Sequence, residues 1–242
     1  MRLLAMSAWL YIVAVLVPLW EHPCRAQQVP AQLTSPPAHV PVWHDTLTAR
    51  LEALALLRTL DADLLSHDSA TVTLERWCGT HRMASPPHVI ADRLPDVDKP
   101  PTALQRQELE VAATEPVRYR RVQLRCGSHV LSVAENWYVP SRLTPDMNHL
   151  LETTDVAFGR VVQSLHFWRH TVETKILWSP LPATWDSTRG RGSAGPFAWP
   201  GAQTEVLRHR AVLVFPDGRP ISEVVETYTA EVLAFPQPQL ER

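Results

Sequence analysis

Arg120, Glu226 and His209 stand in stretches whose other inward residues are apolar. From Tyr119 to Pro140 two β-rich runs meet at Gly127-Ser128, a pair suited to the positive φ of a two-residue turn. With the turn centred there, Cys126 pairs with His129, Leu124 with Leu131, Val122 with Val133, and Arg120 with Glu135. Side chains alternate faces along a strand, so Arg120 and Glu135 share the face of Val122, Leu124, Leu131, Val133 and Trp137, while Arg121, Gln123 and Arg125 point away. A guanidinium aimed into an apolar layer must be paired or must await an anion. The alternatives are a structural Arg120–Glu135 pair and a carboxylate-binding arginine.

A second hairpin runs from Glu205 to Phe215, turns at Pro216-Asp217-Gly218-Arg219, and returns from Pro220 to Thr229. With Asp217-Gly218 as the turn, Ala211 faces Val224 and His209 faces Glu226, on the face of Leu207, Leu213, Phe215 and Tyr228. A carboxylate desolvated by Val224 and Tyr228 beside an imidazole can shuttle a proton or anchor a hydroxyl. The plain alternative is a cross-strand pair, and a G1 bulge in the turn would break this register.

Other elements must position these groups. Leu47, Leu51, Leu54, Leu57, Leu60 and Leu64 recur at helical spacing, and a second short helix starts after Asp68 or Ser69, carrying Leu74 and Trp77 toward Cys78. The Pro-rich stretch from Met83 to Pro116 reads as loop apart from a short strand within His88–Leu94. Thr144-Pro145-Asp146 opens a helix, Thr154-Asp155 leads into another at Phe158-Gly159, and Val172, Thr174, Ile176 and Trp178 alternate as a strand. Ser179–Gln203, with Trp185, Phe197 and Trp199, is a long insertion or flap. The sum is α+β: a mainly antiparallel sheet of about five or six strands covered by helices.

A net charge of −2 gives no polyanion partner, and the chain has neither a Gly-rich phosphate loop nor zinc-type Cys and His spacing, so nucleic acid, nucleotide and metal chemistry are not expected and no cofactor is implied. Arg2 followed by the apolar run Leu3–Trp20, with small residues before Gln27, reads as an export signal cleaved after Ala26; an uncleaved membrane anchor is the alternative. Residues 27–44 form a Pro-rich tether, 45–233 the folded domain, and 234–242 a frayed tail. Removing the leader removes Cys24 and leaves Cys78 and Cys126, either as one disulfide or as two buried thiols.

The order of motifs resembles the chorismate pyruvate-lyase family: Arg-x-Val-x-Leu entering a hairpin, a strand ending Val-Pro, Phe-Gly-Arg on a following helix, and Gly-Arg-Pro leading into Val-Val-Glu-Thr-Tyr, over Asp68 to Leu233. That family's fold is shared by ligand-sensing domains of some bacterial transcription regulators. The resemblance implies an enclosed pocket for a carboxylated aromatic or chorismate-like ligand, and elimination of pyruvate from it. It implies Arg120 on the carboxylate, with Arg121 the alternative by ungapped count, Glu226 at the ring hydroxyl, and Phe158 beside Gly159 against the ligand. Glu135 stands where the family commonly carries a second arginine, and Ala70 where some relatives cover the ligand with a larger residue. Glu135 and the export signal point to a second reading, a non-catalytic exported domain that binds a small aromatic or carboxylated molecule.

Overall fold

The computed structural model describes residues 43–94, 98–186 and 198–238. The leader, the tether up to residue 42, Cys24 and Phe197 lie outside the described residues.

Helices α1 (Leu47–Leu65) and α2 (Ala70–Thr80) come first. The Thr46 hydroxyl accepts from the Ala49 N–H at 3.1 Å, and Ser69 accepts from the Val72 N–H at 3.4 Å, so each helix starts at a side-chain cap. Along α1 the buried stripe is Ala49, Ala53, Leu57, Leu60 and Leu64, while Leu47 is 65% exposed. The leucine stripe expected from spacing is therefore correct only in the second half, and alanines supply the inner face of the first.

Strand β1 (Val89–Arg93), helix α3 (Ala103–Glu108), strands β2 (Arg118–Cys126) and β3 (His129–Tyr138), helices α4 (Pro145–Thr153) and α5 (Phe158–Val161), and strands β4 (Trp168–Ile176), β5 (Glu205–Val214) and β6 (Pro220–Thr229) follow. Among the described residues the strands form one antiparallel sheet in the order β1-β2-β3-β6-β5-β4. The fold is the α+β class expected. Two boundaries differ: β4 begins at Trp168, four residues before the alternation that starts at Val172, and α3 forms where loop was expected. Thr102 and Gln105 close a reciprocal capping box that starts α3 despite the surrounding prolines.

One face of the sheet carries the main core. Leu57, Leu60 and Leu64 of α1 and Leu74 and Trp77 of α2 pack with Val122, Leu124, Leu207 and Tyr228, and a neighbouring cluster joins Leu151, Phe158 and Val161 to Leu213, Ile221 and Val224. Cys78 and Cys126 form a disulfide between α2 and β2, which settles the alternative left by the sequence. Past Leu233 the chain remains packed: Phe235 is 3% exposed and stacks on His81 at 4.0 Å. On the opposite face, Leu109, just beyond α3, buries Trp137 and Val139, and Val111, Tyr119 and Val225 are partly buried against them.

Two irregularities set which residues face the core. In the first hairpin Cys126 pairs with His129 as expected, but Leu124 pairs with Ser132, because the register shifts by one residue beside Leu131. Beyond that bulge every β3 side chain changes face. Arg120 therefore lies opposite Asn136, and Glu135 lies opposite Arg121. In the second hairpin the Phe215 N–H donates to the Arg219 carbonyl at 2.8 Å and Gly218 has φ +88°, giving a three-residue loop. Val214 then pairs with Pro220, and a bulge at Ile221 restores Leu213 opposite Ser222. The two offsets cancel, so His209 does face Glu226 and Ala211 does face Val224.

Candidate functional site

Arg120 shares its face of β2 with Val122 and Leu124, beneath the end of α4. Only 6% of the residue is exposed. Its Nε donates to the Leu151 carbonyl at 3.1 Å, and its Nη2 to the carbonyls of Val156 at 3.0 Å and Thr154 at 3.4 Å. These acceptors belong to the last turn of α4 and the chain just after it, where the helix dipole presents its negative end. Nη1 takes part in none of these bonds, and among the described residues no carboxylate forms an ion pair with Arg120. Burial, with Arg93 nearby, lowers its pKa to about 10, so at neutral pH it is a buried cation held by backbone carbonyls.

Glu226 lies on β6 and is likewise 6% exposed. Its Oε2 accepts from Arg169 Nη2 at 2.6 Å and from the Tyr228 hydroxyl at 3.0 Å. The Arg169 side chain, from β4, is 3% exposed, and its Nε has no hydrogen-bond partner. Burial works against the Arg169 charge, but Glu226 and Tyr228 outweigh it and hold its pKa above the ordinary value. Burial and Glu226 together push the Tyr228 hydroxyl well up, so it stays a donor.

Arg120, Arg169 and Glu226 line one hollow of about 40 Å³, together with Asn136, Phe158 and Gly159. Asn136 is 5% exposed and its Oδ1 has no partner. Gly159 lets α5 approach α2: a Cβ there would stand 3.0 Å from Ser69 Oγ. Phe167, Asp68 and Ser69 line both this hollow and a neighbouring one of about 280 Å³, so Phe167 stands as the partition between them.

Several expected relations do not hold. Glu135 is on the far face, accepting from the Tyr119 hydroxyl at 2.7 Å and from Lys99 at 3.1 Å, so it does not neutralise Arg120. The bulge accounts for this. His209 is fully buried beside Glu226 in register, but its Nε2 contacts Asp61 of α1 at 2.8 Å and it does not line the hollow. The inward arginine is Arg120, and Arg121 faces the other way. The alternation of Val172, Thr174 and Ile176 puts Arg169 on the opposite face, and a bulge at Val172 turns it inward, opposite Leu213. Regular alternation from Val133, Glu135 and Trp137 puts Asn136 outward, and nothing in the sequence announces the bulge that turns it inward, opposite Arg120.

No family model matches the chain. It is 49% identical over 201 residues to the uncharacterized protein y4mC of Sinorhizobium fredii, covering 82% of this chain and 84% of that protein. The chain belongs to the y4mC family. Solved structures with related topology include the effector domain of PhnF from Mycobacterium smegmatis (12% identity, 67% of this chain and 88% of that one, TM-score 0.43). Another is a GntR-family transcriptional regulator from Enterococcus faecalis (9% identity, 63% and 98%, TM-score 0.38). Likenesses this distant carry no argument about what the y4mC family binds.

The chemistry must be read from the hollow itself. Arg169 pairs with Glu226 and Asp68 accepts from the Arg169 backbone N–H, so the lining as a whole is neutral and Arg120 is its cation without a carboxylate partner, among Val122, Leu124, Leu213 and Val224. Such a site attracts one anionic group and offers the Asn136 and Arg169 polar atoms as further partners. Among the described residues no group of His, Cys, Asp or Glu could hold a metal ion.

Proposed function

We propose that this protein is an exported, non-catalytic binding domain for a small carboxylated molecule, aromatic or chorismate-like, held in the hollow between β2, β6 and α5. The observation that carries the reading is Arg120: a buried guanidinium with no carboxylate partner among the described residues, lining a small, mainly apolar hollow. A ligand carboxylate would take Nη1, and its ring would lie between Phe158 and Val224. At about 40 Å³ the hollow admits no more than a few waters, so a ring is admitted only when Phe158 or Phe167 changes rotamer. Export is supported by the apolar run at the N-terminus and by the Cys78–Cys126 disulfide, a bond typical of oxidising compartments.

Elimination of pyruvate is the second reading, favoured by Arg120 and Glu226 sharing one hollow. In that reaction the ring–oxygen bond breaks, the ring loses a proton as it aromatises, and the released side chain gains one. Glu226 cannot move that proton through Oε2, which is held by both Arg169 and Tyr228. Calorimetric titration with 4-hydroxybenzoate, beside a coupled assay for pyruvate released from chorismate, separates the readings. The expected result is saturable binding that Arg120→Gln abolishes, with no pyruvate formed. Pyruvate release that depends on Arg120 would install the lyase instead, and absence of any carboxylate binding would overturn both.

A further inference from the structure

The face of the sheet turned away from the hollow carries a trough of about 700 Å³, within the usual range for small-molecule sites. Its floor can be read from the strand registers. One row across the sheet is Tyr119, Trp137 and Glu223; the next is Arg121, Glu135, Val225 and Arg210; a third includes Val133, Thr227 and Arg208. Val133 and Val225 are thus an apolar floor, with the Tyr119–Trp137 pair, 5.1 Å between rings, as an aromatic end wall.

The charges around this floor are largely committed. Lys99 bonds Glu135, Arg208 bonds Glu205 and Thr227, and Arg210 bonds Glu108 at 2.6 Å and lies 3.5 Å from Glu223. Arg121 has no ion pair or side-chain hydrogen bond among the described residues, although it lines the trough. At the other end, Glu223 is 1% exposed; Gln105 donates to its Oε1 at 3.2 Å, while its Oε2 has no partner. A spare cation and a buried carboxyl oxygen without a partner, an acceptor once Glu223 is ionised, therefore flank an apolar floor. Two strand spacings and two residues along the strand separate their backbone positions, about 12 Å in all.

We propose that this trough is a second ligand site, for an apolar monoacid that carries a hydrogen-bond donor at its far end. The acid group pairs with Arg121, the body lies on Val133 and Val225 against Trp137, and the donor reaches Glu223. The lining favours an anion over a cation at the Arg121 end, since Lys99, Arg208 and Arg210 each pair with a carboxylate and Arg121 does not. This site is independent of the Arg120 hollow.

Calorimetric titration of the folded protein with 4-hydroxycinnamate tests the proposal, with cinnamate and tyramine as controls, against wild type, Arg121→Gln, Val225→Arg and Arg120→Gln. The expected result is a binding event that Arg120→Gln leaves in place and that Arg121→Gln weakens about tenfold, the loss of one charge-assisted contact. Val225→Arg should remove it, cinnamate should bind more weakly, and tyramine should not bind. Indifference to Arg121→Gln, equal binding of tyramine, or loss of all binding in Arg120→Gln alone would overturn it. Arg121→Gln alters one half-buried side chain on the face away from the core, so the test stands even if Val225→Arg fails to fold.

Discussion

Arg169 and Glu226 form the most heavily desolvated ion pair around the hollow, at 2.6 Å with side chains 3% and 8% exposed. Removing one partner leaves the other charge buried and unpaired. Glu226→Gln should lower unfolding free energy by about 3–5 kcal/mol in urea titration, whereas Arg169→Met with Glu226→Leu together should recover most of that loss. If Glu226→Gln were nearly neutral, the pair would be better hydrated than its geometry indicates. Arg120 makes a different prediction. A lysine ammonium cannot reproduce the planar fork that serves the Leu151, Thr154 and Val156 carbonyls. Arg120→Lys should therefore cost about 1–3 kcal/mol by the same measurement, through buried carbonyls left without donors. Arg120 and Glu226 were legible as inward charges from alternation alone. Glu135 was misplaced, because a single bulge residue reverses a face without altering composition or periodicity.

At the scale of elements, the hollow is framed by α2 and β2, and their far ends are joined by Cys78 and Cys126, 48 residues apart in sequence. A cross-link closing a loop of that length stabilises by about 4 kcal/mol in the chain-entropy account. Cys78→Ala with Cys126→Ala, or dithiothreitol on the wild type, should lower the urea midpoint correspondingly, and reductant should not affect the double variant further. An unchanged midpoint would mean that the bridge contributes little against the unfolded chain. The hairpins were readable because Gly127-Ser128 and Asp217-Gly218 are strong local turn signals. α3 was not, although Thr102-x-x-Gln105 is a capping-box pattern, because five prolines between Pro86 and Pro101 argued for loop.

For the whole molecule, the sheet separates a closed, apolar, helix-covered side from an open, charged one, and Glu223 links the second to stability. Burial, reinforced by Glu108, raises its carboxyl pKa from 4.5 to about 7, while Arg210 opposes the rise. Below about 4.5 both folded and unfolded chains hold this proton. Between that pH and about 7 the unfolded chain has released it and the folded chain keeps it, so this group's stabilisation is lost as pH rises through that window. The loss is on the order of 2 kcal/mol. Glu223→Gln removes the ionisation and can donate toward Glu108. It should therefore flatten the decline and leave the variant more stable than wild type at pH 8, with little difference at pH 4.5. Urea midpoints of the two proteins at those pH values check this, and comparing the proteins with each other cancels the titration of every other group. A parallel decline in both would assign the pH dependence elsewhere and leave Glu223 ionised in the folded state at neutral pH.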